Sequence, residues 1–299
     1  MKFKFILMAI PAFIGASFYQ EGDLSKIVRP GVKLEKLAEG FKFTEGPSAD
    51  SEGNVFFTDQ PNDRIMKWGT DERLTTFMQP SGRSNGMAFD RNDNLWSCAD
   101  EKNEIWIIRR DKSTEKIPSL YEGKVLNGPN DLWIDPKGGV YFTDPFYKRT
   151  WWDHQNQPQD IEAVYYLSPD HGAITRVITD LTKPNGIVGT PDGRKLFVAD
   201  IGANKTWMYT VNKDASLSDK KLFCELGSDG MTIDSKGNIY LTGNGITVFD
   251  PSGKKIGNIP VPEKWTANVC FGGKDLKSLF ITASTGFYRM KMSVKGTRG

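Results

Sequence analysis

One turn of chain recurs six times along 299 residues. A small-residue or Pro/Gly step leads into an apolar pair and an Asp or Gly. A tight polar turn follows, then a second apolar run ending in Asp or a small residue. The copies read EGPSADSEGNVFFTD (45–59), NGMAFDRNDNLWSCAD (85–100), NDLWIDPKGGVYFTD (130–144), NGIVGTPDGRKLFVAD (185–200), DGMTIDSKGNIYLTG (229–243) and NVCFGGKDLKSLFITA (268–283). They end at Asp59, Asp100, Asp144, Asp200, Gly243 and Ala283, so the steps are 41, 44, 56, 43 and 40 residues. A period near 40 built of short strands is the spacing of β-propeller blades. Six copies predict an all-β, six-bladed propeller.

Each copy predicts two antiparallel strands joined by a turn in which Gly or Asn supplies the positive φ. A third strand follows: RIMKW (64–68), EIWIIRR (104–110), AVYYLS (163–168), TWMYTV (206–211), ITVFD (246–250) and FYRMKM (287–292). A weaker fourth comes after a polar turn, which completes a four-stranded blade. The sixth copy runs out of chain after its third strand, while VKLEKLA (32–38) precedes the first copy unassigned. We expect that segment to supply the outer strand of blade six and close the ring, since an open ring would expose sheet edges.

No linker interrupts the repeats, so residues 18–299 read as one domain. Residues 1–17 read as a secretory signal peptide. Lys2 and Lys4 precede an apolar stretch over 5–16, and Gly15, Ala16 and Ser17 supply a small-residue cleavage site. The stretch is shorter than the ~20 apolar residues that span a bilayer. The expectation is export to the periplasm or medium, with no membrane association after cleavage. Lys+Arg 39 against Asp+Glu 37, with no basic run, excludes nucleic acid as a partner. Cys98, Cys224 and Cys270 read as buried small hydrophobes rather than a disulfide framework.

In a propeller the first strand of each blade lines the central channel. The start of every first strand and the end of every second strand therefore share one face. The residues at the six first-strand starts are Glu45, Asn85, Asn130, Asn185, Asp229 and Asn268. All carry side-chain oxygen. Two carboxylates in such a ring repel each other unless a cation lies between them. Hard oxygen donors, with both His (His154 and His171) outside the ring, favour Ca²⁺, with Mg²⁺ or another divalent ion possible.

The stretches PSGRSNGMAFD (80–90), YEGKVLNGPNDLWIDPKGGVYFTDPFY (121–147), KPNGIVGTPDGRKLFVAD (183–200) and SDGMTID (228–234), with EGP at 45–47, resemble the gluconolactonase branch of the SMP-30/gluconolactonase/luciferin-regenerating family over residues from about 40 to 285. The resemblance implies one catalytic divalent cation and hydrolysis of a sugar lactone. It places metal ligands at Glu45, Asn185 and Asp229, with Asn130 a fourth ligand or a substrate contact, and gives Asp229 the role of general base. Its alternative role is ligation alone. The chain departs from the family's pattern at Gly128, where animal members carry Arg, and at Asp100, where the branch usually has His.

Arg83 and Asn85 enter the first strand of blade two, Lys124 precedes that of blade three, and Asp144 ends a second strand. All lie on the site face. Arg83, Asn85, Asn130 and Asp144 are the expected substrate contacts. The recurring Asp59, Asp100, Asp144 and Asp200 also suit capping of backbone N–H groups. The long step of 56 residues places an insertion at 145–160, and its Trp151, Trp152 and His154 could form a lid or a sugar-stacking wall. No G-x-S-x-G elbow is present. The leading expectation is a metal-dependent lactonase. The alternatives are a propeller hydrolase of another ester or organophosphate, and a non-catalytic binding propeller with a structural metal.

Overall fold

The computed structural model describes residues 24–117 and 119–297. The expected signal peptide lies outside the described residues. Six four-stranded antiparallel sheets are arranged as propeller blades. Blade one is Thr44–Ala49, Val55–Asp59, Arg64–Trp68 and Leu74–Met78; blade two is Ser84–Phe89, Leu95–Ala99, Glu104–Ile108 and Thr114–Ile117. Blade three is Leu132–Ile134, Val140–Asp144, Ala163–Leu167 and Ile174–Ile178. Blade four is Pro184–Gly189, Lys195–Asp200, Lys205–Val211 and Leu217–Cys224; blade five is Met231–Ile233, Ile239–Gly243, Gly245–Phe249 and Lys255–Ile259. A hairpin of Leu120–Tyr121 and Lys124–Val125 between blades two and three was not anticipated from sequence.

Blade six closes the ring as expected. Its strands Thr266–Gly272, Ser278–Ala283 and Gly286–Lys291 are completed by Glu35–Glu39, which pairs antiparallel with Gly286–Lys291. Arg289 fixes this outer strand by donating Nε and Nη2 to Glu35 at 3.0 and 2.7 Å. Within the seam, the Phe57 and Phe287 rings stack at 4.1 Å and the Phe41 ring meets Phe57 edge-on at 5.2 Å.

The core lies between blades. Second strands such as Val55–Asp59, Val140–Asp144 and Ile239–Gly243 are buried along their whole length. They are covered on both faces by neighbouring blades, which is why these strands read as unbroken apolar runs. The three cysteines are buried and free.

The first strands do not run regularly into the site face. In blades one, two, four and six the register slips at Glu45/Ser48, Ser84/Met87, Pro184/Ile187 and Thr266/Asn268. In blades three and five the first strand begins only at Leu132 and Met231, after the site residue. A bulge re-aims a side chain that regular pleating would point at a neighbouring blade. Hydroxyls of the second strands hold the irregular backbone: Thr143 accepts from Asp131 N at 3.1 Å, Thr242 from Gly230 N at 2.8 Å, and Thr282 donates to Asn268 O at 3.1 Å.

Candidate active site

The strand starts are packed so closely that Gly46, Gly86, Gly186 and Gly230 leave no room for a Cβ. A Cβ on Gly46, whose φ is +44°, would overlap the Asn85 carbonyl, and one on Gly230 would overlap the Asn268 side chain. In blades one, two, four and five the strand start thus rests on the next without side-chain padding, which draws the ring residues together.

Glu45, Asn85, Asn130, Asn185 and Asn268 are buried, and Asp229 is partly exposed. Glu45 Oε2 accepts from Gly46 N at 2.9 Å. Burial, with the charges of Asp229 and Asp131, holds the Glu45 carboxyl well above its ordinary range. Asn185 donates its amide to Asp229 Oδ1 at 2.9 Å and to the Tyr147 hydroxyl at 2.9 Å. Asp229 Oδ2 accepts from the Trp265 indole at 2.6 Å. Desolvation by the surrounding protein raises Asp229 to about 6, against the lowering effect of Trp265, Asn185 and Arg149.

This donor set suits a hard divalent cation. Spending both Asn185 N–H groups on Tyr147 and Asp229 leaves its amide oxygen open, and the Asn130 side chain makes no hydrogen bond among the described residues. The mutual repulsion of Glu45 and Asp229 is what a cation would relieve. No trio of His, Cys, Asp or Glu suited to a metal occurs among the described residues, because half of this quartet is amide.

Asp131, one residue beyond Asn130, was missed. Buried, it accepts from Leu132 N at 3.0 Å and from Asn268 Nδ2 at 3.4 Å, and burial pushes it up to about 7. It occupies the position held by Gly46, Gly86, Gly186 and Gly230 in other blades, and that substitution was its only sequence signal. Asp131 and Asn268 also border a cavity of about 350 Å³ whose lining includes Trp133 and Phe271.

Asp144 has another task than the expected substrate contact. Fully buried, it accepts from Asn127 N and Gly128 N at 2.9 and 2.8 Å and so holds the loop into blade three. Asp59 does the same for Lys42 N and Asp200 for Thr182 N, each at 2.9 Å. Asp100 breaks the series. Its Oδ2 takes the Gln60 amide at 3.0 Å and lies 2.7 Å from Arg149 Nε. The cap it would have supplied comes from Asp63, which accepts from Ser81 N at 2.9 Å and Arg83 N at 2.7 Å.

The 145–160 insertion lies on the site face. Tyr147 touches Asn185, the Trp151 ring carries Arg83 at 4.6 Å, and Trp152 donates its indole N–H to Asp100 O at 2.7 Å. His154 stacks on the buried Trp152 at 5.1 Å, and of the insertion's aromatics Tyr147 is the one that bonds a ring residue, Asn185. Lys124 is exposed on the small hairpin.

Residues 43–285 match the model of the SMP-30/Gluconolactonase/LRE-like region. The chain belongs to this family. A gluconolactonase from Zymomonas mobilis is 30% identical over 306 residues, covering 91% of this chain and 85% of that protein. A solved structure of a gluconolactonase from Xanthomonas campestris superposes with a TM-score of 0.84 at 25% identity, covering 92% of this chain and 93% of the other. Regucalcin from Agrobacterium tumefaciens, described as a calcium-binding protein, shares the fold, with a TM-score of 0.75 at 19% identity over 89% and 96% of the two chains.

Proposed function

We propose that this SMP-30/gluconolactonase family protein is an exported, metal-dependent lactonase that opens a sugar lactone with an activated water. The lactonase activity follows from the family and from gluconolactonase relatives that span nearly the whole chain. The metal dependence rests on one observation: Glu45, whose proton affinity burial and the Asp229 charge raise, shares with Asp229 a ring completed by amides. Glu45, Asn130, Asn185 and Asp229 would hold the cation, with Ca²⁺ the best match to hard oxygen donors. When bound, it supplies Lewis-acid polarisation of the carbonyl and a lowered water pKa.

The chain's own residues do the rest. Asp229 accepts a proton from the attacking water, whose oxygen bonds to the carbonyl carbon. The ring C–O bond then breaks, and a proton returns to the departing oxygen, giving the open hydroxy acid. Asn185 and Trp265 fix both Asp229 oxygens, so the remaining lone pairs point in a defined direction. Arg83 and Asn85 are the proposed sugar contacts. Export is supported by Lys2, Lys4 and the apolar run at 5–16.

The test is lactone hydrolysis before and after chelation. We expect activity to vanish on metal removal and to return with Ca²⁺ or another divalent ion. Full turnover by metal-free protein would refute the metal role.

A further inference from the structure

Arg83 and Arg149 share one aromatic platform. Their Cζ atoms lie 4.6 and 5.4 Å from the Trp151 ring centroid. Arg83 comes from the loop into blade two and Arg149 from the insertion, so two distant segments deliver two guanidinium groups to one place. Arg149 also lies 5.4 Å from the Tyr147 ring, whose hydroxyl meets Asn185 in the ring of ligand candidates. The pair therefore stands beside the reacting centre.

The charges here do not balance. Lys183 pairs with Glu162 at 3.3 Å, and Arg149 with Asp100 at 2.7 Å. Arg83 has no carboxylate within ion-pair distance among the described residues, and its one side-chain acceptor is the Pro61 carbonyl at 2.9 Å. Arg83 Nε and Trp151 Nε1 are both buried with no hydrogen-bond partner. Leaving two such donors unmet is costly, and the one nearby carboxylate whose charge Arg83 feels, Asp100, is shared with Arg149. Nothing in local folding demands the arrangement, since Asp63 caps the loop backbone and leaves Asp100 for Arg149.

We propose that Arg83, Arg149 and the Trp151 indole N–H form a receptor for an acid group on the substrate, so that the lactone opened here carries a carboxylate or phosphate remote from its ring carbonyl. The substrate part of this inference rests on the lactonase reading. A guanidinium fork matches the oxygen pair of a carboxylate or phosphate, whereas a sugar hydroxyl leaves Asp100 shared between two guanidinium groups. Asp100 holds Arg149 in place while the receptor is empty.

The experiment compares kcat/KM for D-glucono-1,5-lactone, D-glucaro-1,4-lactone and 6-phosphoglucono-1,5-lactone on the metal-loaded enzyme. Calorimetric titrations with gluconate and glucarate accompany it. We expect an acidic lactone to be preferred by about 10–100-fold, the worth of one or two charge-assisted hydrogen bonds. The two acidic arms distinguish carboxylate from phosphate. In R83Q and R149Q the acid-to-neutral ratio should collapse toward one, and a ratio is insensitive to a partly folded sample. A neutral lactone preferred by the wild type, together with glucarate binding no tighter than gluconate, overturns the receptor and leaves the lactonase reading intact. No turnover on any lactone, with glucarate still bound more tightly than gluconate, overturns the lactonase reading and keeps the receptor.

Discussion

Trp265 donates its indole N–H to Asp229 Oδ2 at 2.6 Å, reaching from the connection ahead of blade six to the start of blade five. Asn185, at the start of blade four, holds the other carboxylate oxygen. Trp265→Phe keeps an aromatic wall and removes the donor. A hydrogen bond to a charged group contributes about 1.5–3 kcal/mol, so kcat/KM should fall roughly 10–100-fold. Trp265 is 36% exposed, so the melting temperature should stay within a few degrees. Unchanged kinetics would reduce the indole to a wall.

Asp229 and Glu45 differ in proposed role and so should differ in rescue. Asp229→Asn keeps an oxygen for the cation and loses the proton acceptor. Its kcat at saturating metal should fall about 10²–10⁴-fold, the usual contribution of a positioned base. Glu45→Gln should act through metal affinity and recover in excess cation. The pair is compared by metal titration and by kcat at saturation. Equal recovery would leave Asp229 a ligand only.

What sequence revealed follows from which residues repeat. The second strands repeat because each must be apolar on both faces, as Val55–Asp59 and Val140–Asp144 are. Glu45, Asn130, Asn185 and Asp229 were legible because the strand starts keep their spacing to the following turn. Asp100 was not, because its letter matches the caps Asp59, Asp144 and Asp200. Its different task depends on Asp63 and on Arg149 of a non-repeating insertion. Trp265 lies in an aperiodic connection, and nothing local announces that it reaches Asp229.

Burial raises the Asp100 carboxyl to about 6, even with Arg149 beside it. An unfolded Asp releases its proton near 3.9. Between these values the unfolded chain binds fewer protons, so Asp100's contribution to stability is full below about pH 4 and is lost as pH rises through 6. The shift corresponds to about 3 kcal/mol across the window. The check is the difference in melting temperature between wild type and Asp100→Asn from pH 4 to 8. Relative to the variant, the wild type should lose about 6–12 °C and then level off. A flat difference would show that Asp100 is ionised throughout.

A chain beginning at Gly40 should melt well below one beginning at Leu24. It lacks Glu35–Glu39 and leaves Gly286–Lys291 as an open edge. It also loses the buried Ile27 side chain and the Arg29 contact with Met292 O at 3.2 Å. Ile27 alone is worth about 1.5–3 kcal/mol, or roughly 3–12 °C. Equal melting temperatures, read by calorimetry, would show that the ring is held shut elsewhere.

The pairing of Glu35 with Arg289 joins residues 254 apart in sequence. A ribosome adding roughly 5–20 residues per second needs about 12–50 s to make the second after the first. For that interval the outer strand of blade six exists without the sheet it belongs to, and long-range pairing of this kind is the slow step of β folds. Its sequence, EKLAE, carries a charge at Glu35, Lys36 and Glu39, and charged edges resist joining foreign sheets. The five residues that finish the ring are thus written to wait: too polar to pair with a stranger, and held at last by an arginine made 254 residues later.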